Sequence, residues 1–198
     1  MKFSSERKLV LASASRYRKT LLEQLRLPFA VRAADIDESP LPDETPVALA
    51  TRLACQKART VAPHNPDALI IGSDQVATLD GRTAFGKPLD HESAVQQLRA
   101  MSGNTVLFHT AVCVLDAASA EERTGVATTE VCFRRLAEAT IERYLRIDQP
   151  YDCAGSARIE GLGIALVERV RSDDPTALLG LPLITLVDLL GAFGVKPL

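Results

Sequence analysis

"ALIIGSDQVATL", Ala68 to Leu79, is a continuous apolar run broken at its centre by Gly72, Ser73, Asp74 and Gln75. It reads as a buried strand whose polar insert needs a purpose or a partner. An acid inside an apolar strand is costly unless paired or coordinated, so Asp74 stands out as a functional candidate. The segments on either side set the architecture. Upstream, Thr45-Pro46 reads as an N-cap with proline at the first helical position, and Val47, Ala50, Ala54 and Val61 follow in helical rhythm with Lys57 at the edge of the stripe. Downstream, Asp90 caps a helix carrying Ala94, Leu98 and Met101. Two long strand patterns then flank the polar connector Ala117 to Glu122, which predicts a hairpin.

Toward the N-terminus, Leu9, Val10 and Leu11 form a strand-like approach to a leucine-spaced helix, and Phe29 to Ala33 is a further strand candidate. Toward the C-terminus, Ala137 to Arg146 reads as a short helix and Asp152 to Gly163 as a glycine-punctuated loop. Pro182 opens an amphipathic helix through Ile184, Leu186, Val187, Leu190 and Phe193 that ends near Gly191 to Gly194. Strands alternating with helices predict an α/β domain with a mixed sheet. Across 198 residues a single domain, 1–198, with two lobes is expected.

Composition excludes several functions. With 23 Lys+Arg against 25 Asp+Glu the net charge is -2, so no global basic field exists to hold a nucleic-acid polymer. No uncharged apolar run is long enough to cross a bilayer. The cysteines, Cys55, Cys113, Cys132 and Cys153, are far apart and contain no CxxC pair, which predicts buried, reduced thiols and a cytoplasmic location. His64, His91 and His109 lack metal-ligand spacing, so a histidine-built zinc site is not expected.

Four polar features stand where a plain core would not put them. "LASASRYRKTLLEQL", Leu11 to Leu25, sets Ser13, Ser15, Arg16, Arg18 and Lys19 at a strand-to-helix junction. Cations at a helix start cost roughly 0.3–1 kcal/mol unless an anion binds among them. "DIDES" supplies Asp35, Asp37 and Glu38, Asp74 is the strand acid, and "FGKPLD" contributes Lys87. Taken singly, a cationic helix start is usually a solvated face, and "DIDES" and "GKP" are ordinary turns. Carboxylates, cations and hydroxyls together suit a metal-bound phosphate chain.

In order along the chain, "LASASRYRKTLL", "DIDES", "LACQKA", "IIGSDQV", "GKPLD", "LRAMSGNTVLFHTAV", "YDCAGSARIEGLG" and "LLGLPLITL" resemble the Maf family of nucleoside triphosphate pyrophosphatases over nearly the whole length. Arg16 stands where the family more often has proline. The resemblance implies an ITPase-like Maf fold: a mixed twisted sheet flanked by helices, two lobes and a central cleft. It implies hydrolysis between the α- and β-phosphates, with Asp74 as general base and Glu38 and Asp74 facing a divalent cation, Mg2+ or Mn2+. Ser13, Ser15, Arg18, Lys57 and Lys87 would bind the phosphates.

Tyr17, Gln75 and Glu160 match the branch of the family that acts on 7-methyl-GTP, although tryptophan is more typical than Tyr17. N7 methylation makes guanine cationic, which an aromatic face attracts by about 0.5–2 kcal/mol and which a carboxylate complements. Two alternatives remain open: the same chemistry on dTTP or UTP, and a non-catalytic nucleotide sensor regulating cell division. A homodimer is also implied.

Overall fold

The computed structural model of the protein describes residues 7–151 and 153–198. The elements are β1 (Lys8–Leu11), α1 (Arg16–Glu23), β2 (Phe29–Val31), α2 (Pro46–Val61), β3 (Ala68–Thr78), β4 (Ala84–Phe85) and α3 (His91–Met101), then β5 (Thr105–Asp116), β6 (Glu122–Phe133), α4 (Glu138–Asp148), β7 (Val167–Ser172) and α5 (Leu183–Ala192). They build one mixed seven-stranded sheet in the order β2-β1-β3-β5-β6-β7, with β4 pairing β3. β1 is parallel to β2 and β3, and the remaining pairs are antiparallel. The 68–79 run is therefore an internal strand, and the hairpin is β5–β6.

Alternation along the strands assigns each helix its face. Leu9, Leu11, Leu69, Ile71, Val112 and Val114 join Leu21 and Leu22 of α1 and Leu186 and Leu190 of α5 in one core cluster. Val10, Ile70, Cys113 and Leu115 face the other way, onto Leu49, Ala50, Leu53, Ala54 and Ala58 of α2. A third cluster, around Phe108, Leu98, Met101, Ile141 and Leu145, packs α3 and α4 at the far end of the long strands. The long strands thus run through two packed regions with an open cleft between them, as the two-lobed expectation required.

The helix caps follow the sequence reading. Thr45 Oγ1 accepts from the Ala48 amide at 3.3 Å and Asp90 Oδ1 from the Ser93 amide at 2.8 Å. Three details differ. Val47 and Ile184, expected in apolar stripes, are 41% and 54% exposed. Val47 lies in the first turn of its helix. Ile184 sits off the buried Leu183, Leu186, Leu190 row. β7 was not expected: it is an edge strand whose Val170 is exposed, so the usual buried face is missing. The loop expected from Asp152 begins outside the described residues, and its remainder carries short 3-10 turns at Ala154–Ser156 and Leu162–Leu166.

Candidate active site

The polar insert of β3 is explained by the same alternation. Gly72 and Asp74 point to α2, whereas Ser73 and Gln75 point to the opposite face. At Gly72 the helix lies so close that an added Cβ would sit 2.1 Å from the Ala54 carbonyl oxygen. A glycine there lets α2 rest directly on the strand, and Lys57, one turn along, reaches Asp74 at 2.5 Å. On the other face Ser73 Oγ lies 2.8 Å from the Ala111 carbonyl and 2.9 Å from that of Gly180, each able to accept its single proton. Gln75 Nε2 shares its two protons among three acceptors, Thr110 Oγ1 at 2.9 Å and the Ala177 and Leu178 carbonyls at 3.0 Å. The α2 face admits the helix at Gly72 and carries charge at Asp74, and the other face fastens the 177–180 turn.

Charge continues outward from Asp74. Lys57 Nζ also meets Glu38 Oε1 at 2.7 Å, and Lys87 Nζ meets Glu38 Oε2 at 2.7 Å. The result is an alternating chain, Asp74, Lys57, Glu38, Lys87, drawn from β3, α2, the loop before α2 and the segment after β4. Asp74 and Lys57 are buried, and the chain emerges at Glu38 and Lys87, whose side chains are 40% and 49% exposed. Burial opposes ionisation of Glu38, yet hydrogen bonds from Lys57 and Lys87 outweigh it and hold the carboxyl down at about 2. Arg52 fixes the loop that carries Glu38, with bonds of 2.6 and 2.8 Å to Glu44 and 2.9 Å to the Ser39 carbonyl.

The helix start is tied into the same cleft. Ser15 Oγ caps α1 by accepting from the Arg18 amide at 3.4 Å, and Ser13 Oγ accepts from the Ser15 amide at 3.1 Å. Both hydroxyl oxygens therefore accept from backbone amides, leaving their protons for a ligand. Arg18 Nε donates to the Gly180 carbonyl at 2.8 Å, the same oxygen that Ser73 approaches. Gly180 has φ +101, which suits glycine. Burial lowers the Arg18 guanidinium's pKa, while Asp74 and Glu38 act in the opposite direction. Arg16 lies over the Tyr17 ring, 4.8 Å from its centroid, and donates to the Tyr17 hydroxyl at 2.8 Å. One face of that ring already holds a cation.

The ten residues given site roles from the sequence, Ser13, Ser15, Tyr17, Arg18, Glu38, Lys57, Asp74, Gln75, Lys87 and Glu160, line one cleft of about 700 Å³, whereas Lys19, Asp35 and Asp37, singled out beside them, do not line it. That volume suits a small-molecule ligand. Glu160 stands exposed at the mouth, near apolar lining from Ala157 and Ile159. Gln75 lines the cleft, but its amide nitrogen is committed to the turn. Sequence reasoning missed Arg52, and it missed Asp174, whose buried carboxylate accepts from the Thr176, Ile184 and Thr185 amides and so anchors the 177–180 turn to the start of α5. "SDDPT" carried a turn signal for the second, and nothing local marked the first.

A mixed sheet with helices on both faces places the chain in an α/β fold class shared with the HAM1 protein from Coxiella burnetii. That structure matches with a TM-score of 0.50 at 19% identity, covering 66% of this chain and 74% of the other. The match speaks to fold alone. Residues 8–193 match the Maf-like protein family, and the chain belongs to that family. A Polaromonas sp. (strain JS666) protein named 7-methyl-GTP pyrophosphatase is 56% identical over 191 residues, 96% of this chain and 87% of that protein. A protein of the same name from Cupriavidus pinatubonensis is 54% identical over 187 residues, 94% of each.

Proposed function

We propose that the protein hydrolyses the α–β phosphoanhydride of 7-methyl-GTP, releasing 7-methyl-GMP and diphosphate. The observation that carries this reading is the alternating ion chain: two carboxylates and two ammonium groups converge in one cleft beside Arg18 and the capped start of α1. Phosphoryl transfer asks mainly for positioning and charge stabilisation, and this set supplies both. Asp74 takes the proton of the attacking water. Lys57, Lys87 and Arg18 balance the phosphate charge, and the Ser13 and Ser15 hydroxyls donate to phosphate oxygens.

The donor set also fits a divalent cation. Oxygens of Asp74 and Glu38 approach a single cationic point, Lys57 Nζ, at 2.5 and 2.7 Å, and carboxylate oxygens are the ligands that Mg2+ or Mn2+ prefers. Glu38 and Asp74 would hold the ion, which when bound acidifies water and neutralises phosphate charge. At the mouth, the Tyr17 ring stacks on the cationic base and Glu160 accepts from the purine N1–H and exocyclic amine. That Arg16 rests on the same ring supports its taste for cations. Four free cysteines support a reducing, cytoplasmic setting. Among the described residues no helix is long and apolar enough to cross a membrane. Kinship with the family supports a homodimer, which sedimentation would read.

The test is diphosphate release from 7-methyl-GTP, GTP, dTTP and UTP, with and without Mg2+, for wild type and Asp74→Asn. The reading expects metal-dependent release, highest kcat/KM on 7-methyl-GTP, and loss in the variant. Equal turnover of the pyrimidine nucleotides, or an Asp74→Asn enzyme as fast as wild type, would sink it.

A further inference from the structure

The two buried cysteines of the α2 layer are not isolated. Cys55 on α2 and Cys113 on β5 are both free, and together with the Glu122 carboxylate of β6 their ligand atoms lie within 4.8 Å of one another. Strand alternation accounts for the cluster. Cys113 and Leu115 share the α2 face, and Glu122 pairs opposite Leu115, so it is the diagonal neighbour of Cys113 on that face. Helix geometry supplies the third member. Cys55 and Lys57 fall about 80° to either side of the Ala54–Ala58 ridge that rests on Gly72. One edge of α2 therefore serves Asp74 and the other serves the thiols.

We propose that Cys55, Cys113 and Glu122 form a binding site for a thiophilic divalent ion of the zinc class, separate from the cleft and fastening α2 to β5 and β6. Two sulfurs and a carboxylate oxygen are a zinc-type donor set, and a solvent molecule reaching in past the half-buried Glu122 completes four ligands. On binding, both thiols lose their protons to buffer, and the ion gains two Sγ bonds and one carboxylate bond with no change of oxidation state. The site is also oriented from outside. Arg59, one turn after Cys55, donates to both Glu122 oxygens at 2.5 and 2.9 Å, holding that carboxylate above the sulfurs. With two thiolates, one carboxylate, Arg59 and a divalent ion, the assembly is electrically neutral. A hydrogen bond between the two thiols favours the thiolate at Cys55, while that bond and burial push the Cys113 thiol up.

The test uses the full chain, reduced and stripped with chelator, titrated anaerobically with Co2+ and then Zn2+. In wild type the thiolate-to-cobalt charge-transfer band should saturate at one equivalent with release of protons, and Zn2+ should raise Tm by more than it does in Cys55→Ser. Cobalt held by the oxygens of Asp74 and Glu38 gives no such absorption, so the cleft does not interfere and the outcome is independent of the proposed activity. Cys55→Ser should abolish the band, and Glu122→Gln, a substitution at a half-exposed site that leaves the core intact, should weaken binding at least tenfold. The proposal is overturned if saturating Co2+ produces no thiolate band, or if the band survives in the Cys55→Ser, Cys113→Ser double variant.

Discussion

The two ends of the cleft are held together in different ways. At the inner end Asp74, Lys57, Glu38 and Lys87 hold one another through ion pairs of 2.5 to 2.7 Å that reach back into the core. At the mouth, Glu160 is exposed and Tyr17 is half-buried, its ring covered by Arg16 rather than by the core. A charge in the interior must be paired, so the inner geometry is prescribed by desolvation. A charge in solvent is bound by no such rule, so the mouth is free to vary with the base it receives. Substitutions at the inner end should therefore change chemistry and stability together, while those at the mouth should change substrate choice alone.

The largest effect should come from Asp74→Asn. Loss of a positioned proton acceptor typically costs about 10²–10⁴-fold in rate, and Lys57 keeps only Glu38 as its ion-pair partner. Diphosphate release at saturating Mg2+ measures it, and a loss under tenfold would make the inner chain a structural device only. Gly72→Ala attacks the same end through packing. A methyl 2.1 Å from the Ala54 carbonyl forces α2 off β3, which should cost about 1–3 kcal/mol in denaturant unfolding and lower kcat as Lys57 lifts away. Unchanged stability with full activity would show that the helix tolerates the shift.

At the mouth, Glu160→Gln removes one charge-assisted acceptor. A fall of about 10–100-fold in kcat/KM for 7-methyl-GTP is expected, with dTTP turnover and Tm unchanged. Equal losses on both nucleotides would erase the distinction between the two ends.

What the sequence revealed follows the same division. Asp74 was legible because an acid in an apolar strand violates the pattern around it, and the caps at Thr45 and Asp90 were legible because capping is local chemistry. Gly72 gave no such signal, since its role depends on a helix that begins 26 residues earlier in the chain and is defined only by packing. Cys55 and Cys113, both read as buried, are indeed buried, but their meeting across the α2–β5 contact could not be read from spacing; Cys132 and Cys153 are only partly buried. Nothing local in the sequence marks Arg52, and its bonds to Glu44 and Ser39 exist only once the loop folds back. Long-range pairing is what a linear pattern leaves out.

The smallest effect tests how far desolvation reaches along the ion chain. Glu38 sits at the boundary between the two regimes, its side chain 40% exposed, with its pKa held at about 2 against an ordinary 4.5. A carboxyl whose folded pKa is depressed contributes stability above its unfolded value and loses it as pH falls through the folded one. The contribution of Glu38 should be intact above pH 4.5 and drain away between 4.5 and 2. Solvent screening keeps it modest, so the measurement must be differential. Tm of wild type minus Tm of Glu38→Gln, taken without metal, should hold steady down to about pH 5 and shrink toward about pH 3. A difference that stays flat throughout would mean that Lys57 depends on Asp74 alone, and that prescribed geometry ends one residue deeper than the chain of distances implies.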